Sequence, residues 1–123
     1  MSYIDGFVLP VPKSRLEEYR QLCELACQIW MDHGALEYME YIAEDIPDGE
    51  VTSFPMSVAL GEGEMVCFSY IRYASREHRD AVMKNVKADE RMRQCMNPEG
   101  LPFDGQRMMW GGFTSLVSSE DSR

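Results

Sequence analysis

At 123 residues, 45% hydrophobic and 27% charged, the chain has the size and composition of one globular domain, not of a disordered or fibrous polypeptide. Its 21 acidic and 12 basic side chains give a net charge of −9, which repels phosphate backbones and anionic lipid heads and so predicts no nucleic-acid and no membrane partner. No stretch approaches the ~20 apolar residues of a bilayer span, the opening Met1-Ser2-Tyr3-Ile4-Asp5 lacks the basic start of a secretory leader, and the four cysteines suit free thiols in a reducing, cytoplasmic setting.

Residues 3–11 read as a first strand. Tyr3, Phe7, Leu9 and Val11 share one parity and Ile4 and Val8 the other, as in a strand covered on both faces. Pro10 and Pro12 are expected to close it, because proline donates nothing to a ladder. Residues 14–33 read as the main helix, with Ser14 and Glu17 at capping-box spacing. Leu16, Tyr19, Cys23, Ala26, Cys27 and Trp30 form a core stripe, and Leu22, Leu25 and Ile29 a second one. Gly34 is placed to terminate the helix after His33.

A second strand spans 36–46, with Leu36, Tyr38, Glu40 and Ile42 on one face. Pro47-Asp48-Gly49 opens a long connection over 47–63, with a helical turn near Met56–Leu60. Connections of that length are often functional. Residues 64–73 form the clearest strand. Ser75 caps a helix over 76–88, and Asp89 caps a short one that turns Met92 and Met96 inward and ends at Asn97-Pro98-Glu99-Gly100. Arg72, Arg76, Arg79, Lys84 and Lys87 interleave with Glu77, Asp80, Asp89 and Glu90, a pattern that reads as a solvated face, with His78 at the surface. Residues 107–117 read as the last strand, with Gly111-Gly112 inside it, and Ser118–Arg123 as a polar tail that frays.

The order β-α-β-β-α-β predicts a ferredoxin-like α+β fold: one domain over residues 1–123, with a four-stranded antiparallel sheet covered by helices on one face. Phe7, Tyr38, Phe68, Tyr70, Trp110 and Phe113 are too many aromatics to hide under two helices. A homodimer that seals the other face is therefore expected.

Several stretches resemble the YbaA-like bacterial family of unknown function. They are Tyr3-Ile4-Asp5-Gly6-Phe7, His33-Gly34-Ala35-Leu36, Pro47-Asp48-Gly49 with Val51-Thr52, Phe68-Ser69, Asp89 with Arg91-Met92, Pro102-Phe103-Asp104-Gly105, Arg107-Met108 and Gly111-Gly112-Phe113. Glu90, where proline is expected, and Trp110, where another aromatic is usual, depart from the pattern. The resemblance implies a dimeric α/β barrel and no reaction. Other branches of that superfamily include cofactor-free monooxygenases, haem-degrading enzymes, lactone isomerases and ligand-sensing domains, but a shared fold does not transfer their activities.

The chemistry-bearing residues are few. Cys23 and Cys27, at i and i+4, have a spacing that fits two thiolates on one metal; without a second pair, and on an apolar stripe, they read as small buried hydrophobes. His33 is a candidate proton shuttle or a partner of its helix C-terminus. Two histidines near helix ends give haem no clear axial ligand. No G-x-S-x-G, P-loop or G-x-G-x-x-G occurs. No cofactor and no metal is predicted.

Asp104 and Arg107 read either as an acid/base carboxylate beside an anion-binding arginine or as an Asx-type turn tied to the sheet. Glu40 shares its parity with apolar residues, so it needs a partner, which Arg107 or Arg72 could supply. The expected function is small-molecule binding or cofactor-free catalysis in a pocket touching Tyr38, Trp110, Gly111, Glu40 and Arg107. The alternative is a non-catalytic interaction or regulatory protein acting through its dimer surface and the 47–63 loop.

Overall fold

The computed structural model describes residues 2–97 and 100–120, so the end of the Asn97–Gly100 turn signal and the last part of the predicted tail lie outside the described residues. The chain runs β1 (Tyr3–Pro12), a 3-10 turn (Lys13–Arg15), α1 (Leu16–Asp32), β2 (Glu37–Ile42), α2 (Phe54–Ser57), β3 (Glu64–Tyr73), α3 (Arg76–Ala88), α4 (Glu90–Cys95), a second 3-10 turn (Gly105–Arg107) and β4 (Met109–Thr114). The sheet order is β2-β3-β1-β4 with every neighbour antiparallel. This is the ferredoxin-like α+β arrangement expected from the element order. Among the described residues no helix is long and apolar enough to cross a membrane.

Local rules account for most element ends. Ser75 accepts a hydrogen bond from His78 N and starts α3, and Asp89 accepts one from Arg91 N and starts α4. Gly34 leaves α1 at φ +101°, a left-handed conformation that glycine reaches without strain. Several expected boundaries move. The Ser14/Glu17 capping box does not form: Lys13 N bonds Gly63 O, the chain enters α1 through a 3-10 turn, and Glu17 pairs with Arg20. Pro12 ends β1 as expected, but Pro10 lies inside the strand. The β4 partner reaches only to Val8, so both prolines sit where β1 has a neighbour on one side. Strands β2 and β4 are shorter than predicted, and Arg107 falls in a turn instead of a strand.

Pleating divides the strand residues between two faces. Phe7, Leu9, Val11, Tyr38, Glu40, Cys67, Ser69 and Ile71 point to the helical side, which corrects the expectation that Phe7 and Tyr38 belong to the uncovered aromatics. There Ile29 of α1 and Val82 and Val86 of α3 meet Ile71 and Tyr73, and Tyr19 meets Leu9, Val11 and Cys67. On the opposite face, α2 and its flanks fold back so that Val58 buries against Val8 and Val66. The rest of that face is open, with Tyr41, Phe68, Met109 and Phe113 exposed.

Candidate functional site

The site begins with a carboxylate that parity sends inward. In the register, Glu40 of β2 stands opposite Ser69 of β3, one step from the Tyr38/Ile71 pair. Across from them α1 presents Tyr19, Cys23 and Ala26 one turn apart. These elements line a partly open pocket of about 140 Å³, with Phe103, Met108 and Met92 also on its wall. Among the described residues Glu40 is the one charged side chain on its wall.

Two phenols hold the carboxylate. Tyr19 Oη donates to Oε2 at 2.9 Å and Tyr38 Oη donates to Oε1 at 2.8 Å. Cys23 and Ser69 lie beside the Glu40 carboxyl and also favour its charged form. Burial raises the Glu40 pKa above the ordinary 4.5, and these hydrogen bonds, which favour the charged form, offset only part of that rise. Burial, followed by the neighbouring Glu40 charge, also raises both phenols and the Cys23 thiol, so Tyr19, Tyr38 and Cys23 stay protonated as donors. Cys67, behind them, is pushed up to about 12 for the same reasons. The result is an acid of adjustable charge in an apolar chamber, a combination suited to ligand recognition and proton transfer.

The cations expected to pair with Glu40 are committed elsewhere. Arg107 binds Glu64 through both terminal nitrogens (2.8 and 2.7 Å), Asp104 through Nε (2.9 Å) and the Ala59 carbonyl (3.1 Å). Asp104 also accepts from Gln106 N at 2.9 Å, making the Asx-type turn. Both Glu64 and Asp104 are held below their usual range, chiefly by Arg107. Arg72 lies 3.8 Å from Glu37, on the other face of the sheet from Glu40. Arg107→Ala is therefore expected to loosen the corner between residues 59 and 64. Hydrogen exchange should show faster exchange at the Gly61 amide, which Glu64 caps, and unchanged protection there would remove this tie.

The remaining candidates separate. His33 Nε2 is 2.7 Å from Asp89, which Arg91 also grips and holds well below the usual carboxylate range. Trp110 pairs with Phe7 and stacks on it at 6.5 Å, on the helical side of β4, but is 62% exposed, and with Gly111 it borders a groove that Glu40 does not line. Gly112 admits the Tyr3 ring: a β-carbon there would overlap the Tyr3 hydroxyl. Among the described residues no three His, Cys, Asp or Glu side chains converge to hold a metal ion.

A second polar group went unrecognised in the sequence. Asp5 is 1% exposed and bonds Arg79 at 2.6 Å, with Arg79 also reaching the Tyr3 hydroxyl at 3.3 Å and lying over the Tyr3 ring. Tyr73 bonds Asp5 and accepts from Trp30 Nε1 at 3.1 Å. Burial raises the Asp5 carboxyl, and Arg79 is the largest influence opposing it. Arg79 thus leaves the solvated face to which its helix assigned it. His78 is half-buried, accepting from Ala74 N at 3.0 Å and packing edge-on against Tyr73, not free at the surface.

Fold and site together define a ferredoxin-like α+β protein with an ionisable group set in an apolar chamber between sheet and helix. A family model described as "Protein of unknown function (DUF1428)" matches residues 2–105, and the chain belongs to that family. It is 44% identical over 117 residues to the uncharacterized protein YbaA of Escherichia coli strain K12, spanning 95% of this chain and 98% of that one, and equally to YbaA of Shigella flexneri. Among solved structures, the de novo designed protein Foldit4 aligns over 94% of this chain and 99% of its own at a TM-score of 0.49 and 10% identity. Neither the family description nor the relatives' names state an activity.

Proposed function

We propose that this chain is a small-molecule-binding protein whose ligand occupies the chamber between the sheet and α1 and engages Glu40. The observation that carries this reading is a carboxyl that no cation among the described residues neutralises, bonded by two phenols, facing about 140 Å³ of largely apolar space. Ionised Glu40 is a base and protonated Glu40 an acid, and either form lies beside whatever fills the chamber. That is the minimum equipment for proton transfer without a cofactor.

Native mass spectrometry of protein isolated from its own source should reveal a copurified small molecule. Filling the chamber with Ala26→Leu should remove it, since Ala26 lines the wall. Retention of the same ligand by that variant would place the site elsewhere.

The working unit in this reading is a homodimer joined across the open face of the sheet. Exposed Tyr41, Phe68, Met109 and Phe113 span three of the four strands on that face, with Ile4 beside Phe113. Sedimentation should give twice the chain mass of 14.2 kDa. Phe113→Glu should yield monomers, because it would bury an unpaired carboxylate at the junction while Phe113 is already 60% exposed in the single chain. A dimer of unchanged affinity in that variant would move the interface off this face.

A further inference from the structure

From the arrangement around Glu40 we infer that the chamber's ligand is a small organic ammonium ion with a compact apolar body. The inference rests on the proposed binding role of the chamber and goes further by fixing the sign of the ligand's charge. Every element packed around Glu40 presents it with neutral groups. Helix α1 brings Tyr19 and Cys23, β2 brings Tyr38, and β3 brings Cys67 and Ser69. The β1 residues on the wall are Phe7 and Leu9, and the residues contributed by α4 and the segments that follow it are apolar. Arg107, Arg72 and Arg79 are bound to Glu64, Glu37 and Asp5.

A buried carboxylate needs a cation or gives up its charge. Burial pushes Glu40 toward the second course by raising its pKa. A ligand cation permits the first. A neutral guest would leave the charge uncompensated, and an anionic one would be repelled.

The walls agree with this choice. Trp30, Tyr38, Phe7 and Phe103 offer aromatic surface, which attracts ammonium groups, most strongly where water is excluded. Size sets the other limit. A dry cavity of roughly 150 Å³ holds benzene, so about 140 Å³ suits one ring or an alkyl group of similar bulk. The net charge of −9 draws cations toward the surface before they enter.

Three probes of one shape separate the charge classes: benzylamine, benzyl alcohol and benzoate, titrated calorimetrically into the full-length protein at pH 8 and pH 5. Wild type should bind benzylamine at least tenfold more tightly than benzyl alcohol at pH 8 and should not bind benzoate. That advantage should shrink at pH 5 as Glu40 takes up its proton, an arm that needs no variant. Glu40→Gln keeps the shape and removes the charge, so it should lose tenfold or more in benzylamine affinity and lose the preference for benzylamine over benzyl alcohol, with circular dichroism showing that the variant is folded. Benzyl alcohol or benzoate binding as tightly as benzylamine would overturn the ammonium assignment and leave the chamber's binding role standing. Failure of all three probes to bind would overturn both.

Discussion

Removing the Arg79 side chain as Arg79→Ala is expected to cost about 3–5 kcal/mol of folding stability, the range seen when one member of a buried ion pair is deleted. The reason lies in what stays behind. Asp5 sits in the middle of β1 with 1% exposure, between strands on both sides and under α3. Its carboxylate is bonded by Arg79 and Tyr73, and Tyr73 is tied in turn to Trp30. Without the guanidinium, Asp5 must keep an uncompensated charge in the core or bind a proton.

Urea unfolding at fixed protein concentration reads this loss directly. Arg79→Lys should recover part of it, because a single ammonium restores the charge but not the combined reach to Asp5 and Tyr3. Asp5→Ala with Arg79→Ala should lose less than the sum of the two single changes, since no orphaned charge remains. A loss below about 1 kcal/mol for Arg79→Ala would mean that the pair behaves as a surface salt bridge and is effectively solvated.

The Asp5–Arg79 pair shows what a sequence displays and what it conceals. Asp5 has the parity of Phe7, Leu9 and Val11, so its inward direction was readable. Arg79 precedes Val82 by three and Val86 by seven residues, which puts it on the buried stripe of its helix. The surrounding charges masked that spacing, because Arg76, Glu77 and Asp80 make the segment look uniformly solvated.

Glu40 failed in a different way. Alternation placed it correctly beside Tyr38, but the choice of partner depends on strand register and helix docking, which one sequence does not contain. Arg72 looked near until the β2/β3 pairing set it against Glu37 on the opposite face. Arg107 looked available until the connection after β2 brought Glu64 beside it. Tyr19 was legible as core and silent as a donor, since the stripe that buries a tyrosine says nothing about where its hydroxyl ends. Turn chemistry travelled better: Ser75, Asp89, Gly34 and Asp104 act through their own neighbours, and local sequence is enough to reveal them.

The unneutralised carboxyl leads to the second large effect: Glu40→Gln should stabilise the free protein at pH 8 by on the order of 1–3 kcal/mol, the cost that mutational data assign to burying a poorly compensated polar group. The sign follows from linkage. Folding raises the Glu40 pKa, so the folded state binds more protons than the unfolded chain in the interval between the two values. The stability Glu40 contributes is complete below the ordinary value of 4.5 and is lost as pH climbs through the raised one.

The difference between variant and wild type should accordingly be near zero at pH 4, grow with pH, and level off once Glu40 is ionised in the folded state. Asp5 titrates in the same sense, while Asp89, Asp104 and Glu64 are lowered and act in the opposite one, so only the difference between the two proteins isolates residue 40. Glutamine still accepts from one phenol through its amide oxygen and can donate through its amide nitrogen to the oxygen of the other, so a hydrogen bond to each phenol is kept. Unfolding curves of both proteins across pH 4 to 9 give the profile. A difference that is flat with pH, or largest at the acid end, would show that the phenols and Ser69 already satisfy the charge. A rising one would mark Glu40 as a group whose ionised form the empty fold tolerates at a loss, as expected of a charge placed for a ligand.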